Sequence, residues 1–153
     1  LHEIAEIAKA GRTRLGSLPL REQEEFQRDY GFHQTALDAA RLQLSQVYAR
    51  AISAVQDEPD DSQRAEVVRQ TKAHGNYIVK SVAKPAVVFA WEASGSAGMR
   101  NPSRLQRCFR DLFMGAAHQT FDDRSYREAA KSALGLEPLP ENVYITNNQA
   151  SLP

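Results

Sequence analysis

Apolar residues recur at helical spacing from the first residue of the chain. Leu1, Ile4, Ala5 and Ala8 fall on one face of a short helix, and no Ser, Thr, Asp or Asn precedes them to cap its start. Gly11 then offers the left-handed conformation in which many helices end. Because the pattern starts inside a helix and lacks an initiator methionine, we expect the chain to be a piece of a longer protein.

A longer amphipathic pattern follows Pro19 and predicts one long helix. Gly31 within it costs about 1 kcal/mol relative to alanine, which a helix of this length absorbs. Charged residues fall largely between the apolar positions, which recur at steps of three, four or seven residues: Phe26, Tyr30, Leu37, Ala40, Leu44, Val47, Ala51 and Val55.

A third helical pattern begins after residues 57–62, a loop whose acidic side chains suit the start of a helix. This pattern contains Pro85, which removes a backbone hydrogen bond and predicts a kink or break between Ser81 and Lys84. The helix is expected to end at residues 94–98, a run of small residues that lets backbone approach another backbone or a ligand.

Two shorter helices and a tail complete the prediction. Asn101 and Pro102 supply a capping side chain followed by proline at the first helical position. A last helix runs from about Asp122 to Leu134, with Gly135 as its stop. Since no alternating pattern exceeds a few residues, we predict an all-α antiparallel four-helix bundle over residues 1–136 and an extended tail over residues 137–153.

Composition restricts the classes of function. The 153 residues include 19 Lys and Arg against 19 Asp and Glu, so no net charge would hold a nucleic acid or an anionic membrane. A single cysteine, Cys108, excludes an internal disulfide and a multi-thiolate metal site. No apolar run reaches the roughly 20 residues of a membrane span, and no signal peptide is visible. We therefore expect a cytoplasmic domain with neither a nucleic acid nor a membrane as its partner.

Simple catalytic motifs are missing from the sequence. The four histidines are scattered without metal-ligand spacing, and no H-E-x-x-H motif accompanies them. No G-x-S-x-G nucleophile motif occurs either. We expect no metal site and no hydrolase chemistry.

One longer motif covers residues 94–111 and reads SGSAGMRNPSRLQRCFRD, with His118 after six further residues. This motif resembles the C-terminal domain of the acyl-CoA dehydrogenase superfamily. It is most similar to the flavin-dependent monooxygenases that hydroxylate phenols, steroid phenols or sulfur heterocycles, whose pattern is G-S-S, then N-P-L-Q-R, R-D and a histidine. A second motif, RTRLG at residues 12–16, resembles the R-x-x-F-G that opens the same domain.

The resemblance implies the C-terminal four-helix bundle of a larger flavoenzyme, whose N-terminal helical and middle β domains complete the flavin site. It also implies a homo-oligomer, a tetramer held largely through these bundles, with FMN or FAD in a cleft that a neighbouring subunit helps to form. The partners of such an enzyme are a small-molecule substrate and, in a monooxygenase, a flavin reductase that supplies reduced flavin.

The resemblance also implies roles for five residues. Arg12 would contact flavin phosphate oxygens as a charge-assisted donor, and Ser96 and Ala97 would approach the cofactor through their backbone. His118 and Gln119 would lie near the isoalloxazine ring, with His118 as the catalytic residue. Residue chemistry by itself leaves other interpretations open: a solvated arginine, a tight turn between helices and a hydrogen-bonded core histidine.

The sequence His118-Gln119-Thr120 bears on the reaction. Many acyl-CoA dehydrogenases carry a carboxylate base in a Y-E-G sequence soon after the R-D pair, although some place it on another helix. Glutamine cannot accept a proton at neutral pH. A histidine suits a monooxygenase, in which it hydrogen-bonds the oxygenated flavin or helps to deprotonate a phenol.

The sequence therefore predicts part of a two-component monooxygenase that hydroxylates an aromatic or heterocyclic substrate with reduced flavin and O2. The alternatives are an FAD-dependent acyl-CoA dehydrogenase and an oligomerisation bundle without a catalytic role. By itself the fragment is expected to be inactive.

Overall fold

Two long helical stretches run side by side in the computed structural model, which describes residues 1–13, 17–56, 60–98, 100 and 103–137. The first stretch is α2, and the second is a continuous run in which a π-helical segment, Ile78–Ala83, joins α3 to α4. Short 3-10 turns lie at Leu20–Glu22, Gly95–Ala97 and Gln119–Phe121. The helices are α1 (His2–Lys9), α2 (Glu24–Gln56), α3 (Asp61–Tyr77), α4 (Lys84–Ser94), α5 (Arg104–Ala116) and α6 (Arg124–Ala133). The predicted all-α bundle is confirmed, and the described residues form no strand.

The two long stretches are antiparallel. Phe26 near the start of α2 stacks on Phe89 near the end of the second stretch, with ring centroids 5.7 Å apart. Further along, the Gln43 side chain lies 2.9 Å from Nδ1 of His74. The shorter helices pack at the sides of this pair, α1 and α5 against α4 and α6 against α3.

A small core fixes the end of the bundle at which α1, α4 and α5 meet. Its buried side chains interlock around Ile4, which is fully shielded from solvent, and the aromatic rings of α2 pack against them. The core consists of Ile4, Ala8, Leu20, Ala90 and Leu105. It holds the α1–α2 connection beside the turn that follows α4.

The ends of the helices mostly follow the predicted signals. Gly11 and Gly135 have positive φ, and the Asp60 side chain accepts a hydrogen bond from the Gln63 backbone N–H at 2.8 Å. The α5 helix begins two residues later than predicted, because Ser103 rather than Asn101 is its cap. Asn101 and Pro102 lie outside the described residues, as do residues 57–59 and the tail beyond residue 137.

Pro85 produces the predicted irregularity in an unexpected form. The helix does not break: the π-helical segment precedes the proline, and Pro85 becomes the second residue of α4. A proline removes one helical hydrogen bond and crowds the carbonyl four residues earlier, whereas a π turn shifts each hydrogen bond by one residue. The wider turn therefore lets the helical stretch continue from Asp61 to Ser94.

His33 on α2 gives the fold a predicted pH dependence. Its ring centroid lies 5.0 Å from that of Phe89, and burial lowers the pKa of His33, while the Asp29 carboxylate partly opposes this shift. The unfolded chain therefore binds the proton more readily. The stability from this packing is fully present above the unfolded pKa of about 6.5 and is lost as the pH falls below it.

We expect His33→Phe to weaken the pH dependence of the free energy of unfolding between about pH 7 and pH 5. Urea titrations across this range measure the effect, and His2→Phe on the exposed side of α1 is the matched control. Equal pH dependence in the wild type and in His33→Phe would contradict the prediction.

Candidate functional site

Arg12 and the turn after α4 form one half of the candidate site. Arg12 is half-buried in the connection between α1 and α2, where its carbonyl accepts a hydrogen bond from the Leu20 backbone N–H at 2.8 Å. Its guanidinium reaches Gly95: a Cβ built on that glycine would lie 2.7 Å from Arg12 Nη2. No carboxylate of the described residues lies within 4 Å of this guanidinium. Within the part of the chain that the structure describes, the Arg12 charge thus lies against the Gly95 backbone and has no ion-pair partner.

The turn itself depends on two glycines. Gly95 has φ of 54° and ψ of −143°, a conformation that residues with a side chain rarely adopt. A Cβ on Gly98 would collide with Ser94 Oγ, a fully buried hydroxyl that donates to the Trp91 carbonyl at 2.6 Å. Ser96 is exposed, and Ala97 ends the 3-10 turn. The turn therefore places the Gly95 backbone beside Arg12 and leaves the Ser96 side chain exposed.

His118 and Gln119 form the other half, just beyond the end of α5. His118 is exposed, so the interpretation as a core histidine is wrong. Its Nδ1 accepts a hydrogen bond from the Thr120 backbone N–H at 3.2 Å and lies 2.9 Å from Thr120 Oγ1. A ring nitrogen that accepts from an amide carries no proton, so in the neutral ring the proton is on Nε2. The residue presents Nε2–H as a hydrogen-bond donor, with the exposed Gln119 amide beside it.

The structure places the five predicted residues in two separate groups. Arg12 lies with the turn of Ser96 and Ala97, and His118 lies with Gln119. The two groups are separated by the length of α5, whose 13 residues span about 20 Å at 1.5 Å per residue. Within one chain the two groups therefore cannot contact the same small moiety, and only an extended ligand or two subunits would connect them.

The sequence analysis missed Asn76, which positions the His118 end. Asn76 is completely buried on α3, and its Nδ2 donates to the Asp122 carbonyl and to Ser125 Oγ, each at 3.0 Å. The Asp122 carboxylate accepts hydrogen bonds from the backbone N–H and the guanidinium of Arg124, the first residue of α6, and these bonds lower the pKa of Asp122. A polar residue at a core-facing position of α3 was the available signal. Asn76 therefore fixes the chain that leaves the His118 turn.

The chemistry of the first group fits a phosphate-bearing flavin. Phosphate oxygens accept hydrogen bonds from an exposed hydroxyl, from turn backbone and from a guanidinium such as that of Arg12, which has no ion-pair partner among the described residues. The second group offers an imidazole N–H and an amide, which suit polar atoms of a flat ring. In the described part of the chain, no group of three or more His, Cys, Asp or Glu side chains is placed to hold a metal ion.

Comparison with known protein families gives a match that covers most of the chain. The family model described as acyl-CoA dehydrogenase, C-terminal domain, matches residues 1–123, which include Arg12, the turn after α4 and the His118 end. No curated protein matches the chain. Across the described residues, no helix has both the length and the apolar character needed to cross a bilayer.

Proposed function

Because the chain belongs to the family of acyl-CoA dehydrogenase C-terminal domains, we propose that residues 1–136 are the C-terminal domain of a two-component flavin monooxygenase. The family points to a flavin-dependent oxidoreductase; the reaction is our inference. The enzyme hydroxylates an aromatic or heterocyclic compound in the cytoplasm, using reduced FMN or FAD from a reductase.

The arrangement at His118 is the observation that carries this proposal. An acyl-CoA dehydrogenase needs a carboxylate to remove a proton from the thioester, and the exposed amide of Gln119 cannot do this. His118 instead offers a donor, Nε2–H, whose orientation Thr120 fixes through Nδ1. Such a donor suits stabilisation of an oxygen atom on which negative charge develops. Of the two monooxygenase roles predicted for histidine, the tautomer favours donation over removal of a phenol proton.

Flavin binding in this proposal uses both groups of residues. Arg12 binds phosphate oxygens, and the backbone of Ser96 and Ala97 contacts the cofactor next to them. His118 and Gln119 hold the edge of the isoalloxazine ring. Reduced flavin supplies the oxygen chemistry when it is bound. The separation of the two groups by the length of α5 supports a site to which a neighbouring subunit contributes one group.

Exposed apolar side chains on α2 support the proposed tetramer. Phe32 and Leu42 are 67% and 69% exposed, and Tyr48 and Ile52 are more than half exposed. A helix that carries four large apolar residues in water is typical of an interface between subunits. We propose that these residues lie between copies of the bundle.

The reaction is tested in the natural protein that carries this domain. Supplied with reduced flavin, a reductase and isotopically labelled O2, the enzyme is expected to transfer labelled oxygen to a member of a panel of phenols and sulfur heterocycles. Anaerobic mixing with acyl-CoA esters of several chain lengths is expected to leave the oxidised flavin spectrum unchanged.

Two results would contradict the proposal. Rapid bleaching of the flavin by an acyl-CoA, without labelled product from O2, would identify a dehydrogenase with its base elsewhere. Failure to bind either flavin, together with an intact tetramer, would identify a bundle that serves only oligomerisation.

A further inference from the structure

A cleft lies between the second long helical stretch and the C-terminal half of α5. Its volume is about 370 Å³, and its lining consists of Lys80, Lys84, Phe113, Ala116 and Ala117. Small-molecule sites commonly measure about 300 to 1,000 Å³ and combine apolar walls with a few polar groups. The cleft has this composition, with two cations above an apolar floor.

Among the described residues, Lys80 has a carboxylate partner and Lys84 has none. Lys80 Nζ donates to Asp123 Oδ1 at 2.7 Å, which uses one of its three N–H donors. Lys84 Nζ lies 4.4 Å from the centroid of the Phe113 ring, and no carboxylate of the described residues lies within 4 Å of it. The sum of Lys80, Lys84 and Asp123 is one positive charge, so the charge of the cleft matches a monoanion.

Neighbouring contacts hold this arrangement in place. Phe113 stacks on Phe109 with ring centroids 4.3 Å apart and planes 17° apart, and Phe109 packs on Trp91. Asp123 follows Asp122, whose carbonyl is bound by the buried Asn76. Both the aromatic wall and the partner of Lys80 are therefore fixed before a ligand arrives, which reduces the entropy lost on binding.

We propose that this cleft binds a small monocarboxylate with an apolar body. One carboxylate oxygen accepts from Lys84 and the other from a remaining N–H donor of Lys80, since the two residues are four apart on one helical stretch. The apolar body lies on Ala116, Ala117 and the edge of Phe113, because Phe109 and Lys84 already cover the faces of that ring. The site uses no residue assigned to flavin and does not rest on the proposed reaction.

Benzoate is the probe, titrated into the 153-residue chain without flavin and followed by amide NMR shifts of residues 113–117. Benzamide has the same body without the charge, and acetate has the same charge with almost no body. We expect saturable shifts with benzoate and about tenfold or weaker binding of the other two, as the loss of a charged hydrogen bond or of apolar contact predicts.

Two variants separate a built site from general charge. Lys84→Met keeps the length of the side chain and is expected to weaken benzoate binding about 10- to 100-fold. Lys9→Met removes an exposed lysine of α1 that does not line the cleft, and it is expected to leave binding unchanged. Circular dichroism verifies that both variants are folded. If Lys84→Met is unfolded, Lys84→Arg, which keeps the charge, serves as the second test.

Several results would overturn the assignment. One is that benzoate causes no amide shifts at residues 113–117. Another is that the chain binds benzamide or acetate with the same affinity as benzoate. A third is that Lys84→Met and Lys9→Met lose the same amount of benzoate binding. None of them bears on the flavin reaction, and loss of flavin activity in the natural protein would leave the benzoate result unchanged.

Discussion

Replacing His118 with alanine is expected to lower the rate of hydroxylation about 10²- to 10⁴-fold, the usual loss when one positioned acid or base is removed. The side chain is exposed beyond the end of α5 and makes its hydrogen bonds within its own turn, so the fold is expected to persist. The measurement is single-turnover product formation with reduced flavin and O2, together with the peroxide released when hydroxylation fails. We expect peroxide to increase as product falls.

Thr120→Val provides the matched control for His118→Ala. It keeps the imidazole and the Thr120 backbone N–H but removes the hydroxyl that lies 2.9 Å from Nδ1. A single hydrogen bond contributes about 0.5 to 1.5 kcal/mol, so the rate is expected to fall no more than about tenfold. If His118→Ala retained the wild-type rate, the assignment of His118 as the catalytic residue would be wrong.

Gly98→Ala is expected to destabilise the domain by about 2 to 4 kcal/mol, because overpacking and a lost buried hydrogen bond each cost about 1 to 3 kcal/mol. The added Cβ would collide with Ser94 Oγ and lie 3.3 Å from the Trp91 carbonyl oxygen. The displaced hydroxyl would lose its bond to that carbonyl in a site without solvent access. Urea unfolding measures the cost, and flavin affinity of the natural protein is expected to fall because the Gly95 turn moves.

Two variants make the Gly98 prediction specific. Gly115→Ala lies in an exposed position of α5 with no atom within 4 Å of the new Cβ, and it is expected to stabilise the domain by about 0.5 to 1 kcal/mol. Ser94→Ala combined with Gly98→Ala removes the colliding oxygen and is expected to recover part of the stability. The prediction would be wrong if Gly98→Ala unfolded at the same urea concentration as the wild type, because the turn would then accommodate the added Cβ.

The helices themselves were predictable because their apolar spacing and end signals are local. Gly11, Asp60 and Gly135 act through their own backbone or through residues within one turn, and each does what its chemistry predicts. The form of the irregularity at Pro85 was not predictable, since a break and a π turn both relieve the crowded carbonyl. The path of α4 also depends on its contacts with α1 and α5, which the local pattern around Pro85 does not contain.

The candidate site was predictable in its parts but not in its geometry. Motif resemblance indicated Arg12 and the turn after α4, but only the fold shows that the guanidinium reaches Gly95. Lys80 and Lys84 were missed because lysines four residues apart on a helix are typical of a solvated face. Their cleft exists because α5 lies across that face, a tertiary contact that periodicity does not encode.

The π-helical segment Ile78–Ala83 separates two regions that pack against different helices. On one side, α4 packs with α1 and α5 around the core of Ile4, and on the other α3 packs with α6 and the turn of residues 119–121. Native proteins open in cooperative units that follow such packing, and the unit with less buried apolar surface opens more often. We therefore expect the backbone amides of the Arg12 group to exchange more slowly with solvent than those of α6. A ligand that contacts both regions would be held at one end by the region that opens less often.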